Sequence, residues 1–249
     1  MKNFIKASFL LVFIFLSNNS FAEIKVCAIT QLYDALEQIK DEYQSKGSIS
    51  ITYASASTLY SSITNKELKC DIYLGNDTKF PIKYVDGNLA DLNSITIFTK
   101  TQLALWSITG IVDKDCSILK YNTFSRIAVP DPKVNVSGFE VMRALNKMNI
   151  NKKDITRKLL VANNEYSAMS FVQNGNAMLG FVPLSMLVNN KYVKDGSYCV
   201  IPKHLYDPLY YYSVTFKDGK RTNLLEIENF RGFLLQNKAK EIFKNNGFY

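Results

Sequence analysis

Apolar residues recur along this chain in two alternating rhythms. Ile24 to Ile29 reads as a short strand, and in the "QLYDALEQIKDEYQ" that follows, Leu32, Ala35, Leu36, Ile39 and Tyr43 fall on one helical face, with a stop at Lys46-Gly47. Ile49, Ile51 and Tyr53 then alternate with Ser50 and Thr52 as in a half-buried strand, whereas Leu59 and Ile63 lie four apart, as on a helix. "CDIYLG" from Cys70 is a third strand, ending on Gly75-Asn76-Asp77. The order starts again in the middle of the chain: "RIAVPDP" is a strand with a stop, "GFEVMRALNKM" a helix, "YSAMSFVQNG" a helix closed by Gly175, and "AMLGFVP" a buried strand. Strands alternating with helices predict parallel pairing and α/β sheets, whose ligands gather at the carboxyl ends of strands. Three such ends, Ala28–Gln31, Ala54–Ser57 and Gly75–Asp77, are small or polar and are expected on one edge.

Two further strand-like stretches, "TQLALWSITG" and "LYYYSVTF", stand where the chain must pass between the two α/β units. Two passages predict a second domain inserted in the first. The closing "NFRGFLLQNKAKEIFKNNGFY" is amphipathic helix, with Phe230, Phe233, Leu234, Ile242 and Phe243 available to return against the first unit.

The start of the chain has a different grammar. Lys2 and Lys6 precede "ASFLLVFIFL", and Ser20-Phe21-Ala22 has the small-x-small form of a signal-peptidase site, so residues 1–22 are expected to be a cleavable signal peptide with Glu23 as the new N-terminus. The apolar run is well short of the ~20 residues a membrane span needs. Without Lys2 and Lys6 the formal charge falls from +8 to +6, spread without a basic block beyond short pairs such as Lys152-Lys153. Tracking of phosphates needs a clustered basic face, so nucleic acid is not an expected partner.

Export makes the four cysteines informative, because disulfides persist outside the cytoplasm. Cys27 and Cys70 lie in or beside apolar strands and read first as small core residues. Cys116 with Cys199 is the expected bridge, although connectivity is not readable from sequence. No cysteine pair has zinc spacing and the single histidine, His204, has no partner, so no metal site is expected and His204 reads as a surface residue. The lone histidine also leaves no nucleophile with a base, and no carboxylate pair stands at a motif spacing; a non-enzyme is expected. Asp34, Asp77 and Asp131, near strand ends, read as caps and turn residues.

The turn at "YASASTLY" carries the main chemical signal. Small hydroxyl residues at a helix start satisfy orphan amides, and those amides with the helix dipole can hold a small anion. An ordinary N-cap at Ser55 or Ser57 is the plainer alternative; the ligand reading gives both hydroxyls to an anion and the amides to a helix from Thr58.

In order along the mature chain, "IKVCAITQLYDALEQI", "ITYASASTLYSSI", "CDIYLGND", "RIAVPDP" with Ser137-Gly138 and "VMRAL", "AMSFVQNGNAMLGFV" and "AKEIFKNNGF" resemble the periplasmic molybdate-binding proteins. The resemblance implies an α/β protein of the two-lobed periplasmic-binding-protein type II fold, two α/β domains joined by two crossover strands, divided as residues 23–101 and 210–249 for lobe I and 102–209 for the inserted lobe II. It implies a solute-binding component that carries a small tetrahedral oxyanion (molybdate, tungstate or sulfate) to a membrane ABC permease, held by amides and hydroxyls without counter-charges. A monomer without cofactor, located in the periplasm, is expected.

Carried over residue by residue, the family's ligand positions fall on Gln31, with Thr30 before it; on Ala56, flanked by Ser55 and Ser57; on the amides of Ser137 and Glu165; and on Pro183, where the family has a tyrosine. Proline offers neither hydroxyl nor amide, and a Glu165 carboxylate pointing inward would repel an anion. Each lost neutral hydrogen bond costs about 0.5 to 1.5 kcal/mol, so three lost hydroxyls weaken binding by several orders of magnitude unless neighbours replace them. Thr30, Gln31, Ser55 and Ser57 are the replacements at hand. Two alternatives stay open: a receptor retuned to another small polar solute through Gln31 and Glu165, and a ligand-free protein kept for signalling or partner binding.

Overall fold

A computed structural model describes residues 23–43, 47–121, 123–189, 193, 196–217 and 223–249; the expected signal peptide and Lys46 lie outside them. Two five-stranded sheets organise the chain. The first holds β1 (Ile24–Ile29), β2 (Ile49–Ala54), β3 (Ile72–Gly75), β4 (Thr96–Thr101) and β10 (Leu209–Thr215) in the order β2-β1-β3-β10-β4. The second holds β5 (Leu103–Ser107), β6 (Ile127–Pro130), β7 (Leu159–Ala162), β8 (Leu179–Pro183) and β9 (Ser197–Val200) in the order β7-β6-β8-β5-β9.

In each sheet the strands that the alternating pattern singled out are parallel: β1 pairs with β2 and β3, and β6 with β7 and β8. The crossover strands run against them, β10 antiparallel to β3 and β4, β5 antiparallel to β8 and β9. Every residue of β3, β5, β6 and β8 is buried, because helices cover both faces and leave a continuous apolar run instead of an alternating one. Helices α1 (Tyr33–Tyr43), α2 (Ala56–Thr64), α3 (Lys79–Asp86), α8 (Leu224–Leu234) and α9 (Asn237–Asn245) belong to the first lobe. The second carries α4 (Ile118–Tyr121), α5 (Val136–Lys147), α6 (Lys152–Lys158) and α7 (Glu165–Gln173). One core spans the first lobe, with Phe230, Phe233, Leu234 and Phe243 returned against it, and Tyr43 makes ring contacts with Phe230 and Phe233. The second lobe has a core on each face of its sheet.

The chain leaves the first sheet through Gln102 and returns at Leu209, which pairs with Thr101 while its side chain joins the core of the second lobe. Thr101 is fully buried at this crossing: its Oγ1 donates to the carbonyl of Gly247 at 2.7 Å and accepts from the amide of Ser185 at 3.3 Å. Gly247 has φ +80°, and a Cβ there would lie 2.9 Å from Cα of Ser185. Only glycine closes α9 at that turn without displacing the second lobe.

Two expectations are corrected. Cys27 and Cys70 are buried, as small core residues are, but they are also bridged, with Cα atoms 5.9 Å apart. Cys27 pairs with Tyr73 in the sheet, and Cys70, just before β3, is brought beside it by the chain leading into that strand, within bridging reach. The helix after β2 starts at Ala56 and not at Thr58, because Ser55 caps it from one residue further back. Cys116 and Cys199 are also bridged, with Cα atoms 5.6 Å apart.

Candidate functional site

A cleft of about 600 Å³ lies between the lobes. Four of its borders are the turns that follow β1, β2, β3 and β7, and the fifth is the start of α5, so the ends of parallel strands from both sheets open on one space. Thr30, Gln31, Ser55, Ala56, Ser57 and Glu165 all line it. Ser137 lies one residue inside the lining Val136, is 3 % exposed, and touches Glu165. Pro183 is buried at the end of β8 and is not among the lining residues.

On the first lobe, Ser55 is the N-cap of α2. Its Oγ accepts from the Thr58 amide at 3.1 Å and lies 3.0 Å from Ser57 Oγ and 2.7 Å from Thr58 Oγ1. Three hydroxyls thus cluster over the first turn of a nine-residue helix. Gln31 is oriented by two donors to its Oε1, Asn76 Nδ2 at 3.2 Å and the Tyr211 hydroxyl at 3.0 Å. That leaves its side-chain NH2 as the group it can offer. Asp77 caps α3, accepting from the Phe80 amide at 3.1 Å. Burial holds its carboxyl above the usual range, while the amides of Phe80 and Lys79 and the Lys79 charge oppose the shift. Lys79 also lines the cleft, its ammonium 5.5 Å from the centre of the Phe80 ring.

On the second lobe, Asn135 Nδ2 ties two turns together, donating to the carbonyls of Asp131 at 3.2 Å and Asn163 at 2.9 Å. Asn164 caps α7 through the Ser167 amide at 2.8 Å. Asn135 stands at the N-cap of α5 but makes no side-chain cap there. Gly138 in the first turn lets α5 press on β6: a Cβ would fall 2.1 Å from the Pro130 carbonyl oxygen. That close approach brings Ser137 onto Glu165, whose Oε1 accepts from Ser137 Oγ at 2.5 Å.

Glu165 is 5 % exposed, and among the described residues no lysine or arginine pairs with it. Its charge reaches both sides of the cleft. The Tyr166 phenol is pushed up to about 12, by burial first and then by Glu165 and Asp34. Tyr211, on β10 of the other lobe, is raised by burial first, with Glu165 adding to it.

The sequence reading did not single out Lys79, Asn135, Asn163, Asn164 or Tyr166. Its one usable signal for them was position, each standing just after a strand or at a helix start. Asp77 and Asp131 are the turn residues expected, Asp131 Oδ1 accepting from the Lys133 amide at 2.9 Å. His204 is exposed, in a short 3-10 turn. Among the described residues no group of histidine, cysteine, aspartate or glutamate could hold a metal ion, and no helix is long and apolar enough to cross a membrane.

Two α/β lobes, two connecting passages and a cleft at strand ends define a two-lobed solute-binding protein. The chain belongs to the family of bacterial extracellular solute-binding proteins, which it matches over residues 24–249. It is 25 % identical over 230 residues to the molybdate-binding protein ModA of Azotobacter vinelandii, covering 91 % of this chain and 90 % of that one. It is 24 % identical over 229 residues to ModA of Rhodobacter capsulatus, covering 91 % and 88 %. The solved structure of the Azotobacter vinelandii periplasmic molybdate-binding protein superposes with a TM-score of 0.73 at 25 % identity, over 91 % of this chain and 98 % of that one. The two-lobed type II architecture expected from the sequence is the architecture present, and the chain is a binding protein and not an enzyme.

Proposed function

We propose that this chain is the periplasmic solute-binding component of an ABC importer, freed by cleavage after Ala22, and that it captures as a monomer a small solute bearing an oxyanion group. In this reading lobe I is residues 23–101 and 210–249, lobe II is residues 102–209, and closure delivers the solute to a membrane permease. Molybdate, tungstate and sulfate are the simplest ligands of the class, and the names of the similar proteins support molybdate among them. The observation that carries the proposal is convergence: the first turns of α2 and α7 and the N-cap of α5 border one inter-lobe cleft, and helix N-termini are ready sites for negative charge. On lobe I the α2 amides, Ser57, the Gln31 side-chain NH2 and Lys79 are the proposed anion contacts; on lobe II Ser137 and Glu165 are the proposed ligand contacts.

A thermal-shift screen of residues 23–249 against oxyanions and small organic acids and phosphates tests this. A true ligand at a hundred times its Kd adds about 2.7 kcal/mol of stability and a clear rise in Tm. A panel in which nothing raises the Tm sinks the proposal.

A second reading, a receptor retuned to another small polar solute, is favoured by one observation: the buried Glu165 carboxylate at the lobe II end of the cleft.

A further inference from the structure

A buried carboxylate without a cation is costly, and the fold must offset that cost. Here the offset comes from position. Glu165 is the first residue of α7 and receives a hydrogen bond from the first turn of α5, so its charge stands at the positive ends of two helices. The side chain thereby uses the electrostatic capacity that a bound anion on this side of the cleft would need. One of its oxygens takes the Ser137 hydroxyl; the other has no hydrogen-bond donor among the described residues. Gln31, which also lines the cleft, is neutral and accepts from the Tyr211 hydroxyl.

We propose that Glu165 sets the ligand class: the solute of this cleft carries, besides its oxyanion group, a proton-donating group, an ammonium or a hydroxyl, that meets the Glu165 carboxylate, and a bare oxyanion is disfavoured. The inference rests on the solute-binding reading above and narrows it. The anionic end of the solute goes to lobe I, where the first turn of α2 holds no acidic residue and Lys79 lines the cleft beside Asp77. The donor end goes to lobe II. A doubly charged oxyanion gripped by both lobes would meet like charge at close range in a site shielded from water, where such repulsion is least screened.

The test uses residues 23–249 as wild type, Glu165→Gln and Glu165→Ala, each first checked for folding by apo melting temperature and circular dichroism. Calorimetric titrations use molybdate and sulfate as bare dianions, and a matched set of ethylphosphonate, 2-hydroxyethylphosphonate and 2-aminoethylphosphonate. Expected is at least a tenfold gain in molybdate or sulfate affinity in Glu165→Gln. Expected too is at least a tenfold preference of the wild type for a donor-bearing phosphonate over ethylphosphonate, lost in the variant. The amino and hydroxy arms decide which donor is used. If the wild type binds molybdate as tightly as Glu165→Gln does, the inference is overturned while the solute-binding reading stands. If no protein binds any probe, both fall. A carboxylate that only caps α5 would lower the apo melting temperature of both variants and leave the ratio between probes unmoved, which also overturns the inference.

Discussion

On the lobe I side of the cleft, α2 begins with a serine cap, two further hydroxyls and no acidic residue in its first turn. On the lobe II side, α5 begins without a side-chain cap, and the carboxylate from the start of α7 leans against it through Ser137. The local device is the same on both sides, a strand ending in a tight polar turn and a helix aimed at the cleft. One copy is left open and the other is filled from within. The difference teaches that a shared fold conserves where charge can be received, while single side chains decide whether it still is.

The largest effect is expected where α5 is pressed onto β6. Gly138→Ala places a methyl group 2.1 Å from a backbone oxygen that cannot rotate away, and should cost about 3 kcal/mol in urea unfolding by moving the first turn of α5 off its strand. The Ser137–Glu165 contact should loosen with it, making lobe II resemble lobe I in having a vacant helix start. If the variant unfolds at the wild-type midpoint, α5 does not depend on that approach.

Next is the seam itself. Gly247→Ala forces a left-handed backbone on a residue with a Cβ, and aims that Cβ at Ser185, at a cost of about 2 kcal/mol. Because Gly247 belongs to the first lobe and Ser185 to the second, small-angle scattering of the apo protein should also show a changed separation of the lobes. An unchanged scattering profile would confine the role of Gly247 to ending α9.

The hydroxyl cluster of lobe I gives a finer split. Ser55→Ala removes a cap and should cost about 1 kcal/mol of apo stability, whereas Ser57→Ala should leave apo stability within about 0.5 kcal/mol and weaken an oxyanion-bearing ligand by up to about tenfold. If both serines move apo stability alone and leave ligand affinity untouched, the turn is purely structural, and lobe I has no open site to contrast with lobe II.

The smallest effect belongs to lobe II. Asp113 is held down to about 2, first by the Ser117 amide, then, against an opposing effect of burial, by the Ser117 hydroxyl and the amides of Asp115 and Ile118. Its folded pKa lies below its unfolded value, so what it contributes is fully present above about pH 4 and is lost as the pH falls towards 2. Asp113→Asn should flatten the acid limb of the stability profile between these values, without any change near neutrality in its slope.

Much of the architecture was legible because each lobe repeats strand and helix in short, well-punctuated runs such as "ITYASASTLYSSI". The insertion of β10 between β3 and β4 was not, since pairing of Tyr212 with both Gly75 and Ile97 is a long-range choice with no local trace. The bridge between Cys27 and Cys70 was hidden for the opposite reason. Both stand among apolar neighbours, where a half-cystine and a small core residue look alike. In the cleft, Ser55 and Gln31 could be singled out by type and by the family's positions. Asn135, Asn163 and Asn164 could not, because asparagine after a strand has an ordinary use as a turn or cap residue, and here two of them have that use as well. The orientation of Glu165 depends on Gly138, twenty-seven residues away, and no pattern in either segment announces the contact.

Each lobe contains one disulfide and no disulfide crosses between them: Cys27 joins Cys70 within the first, Cys116 joins Cys199 within the second, and no cysteine remains free. The covalent graph of the molecule is therefore two cyclised halves joined by two strands. Rotation about those strands neither stretches nor relaxes a sulfur bond. Redox state can alter how firmly each half holds its own shape, while the balance between an open and a shut cleft stays with hydrogen bonds, packing and the solute.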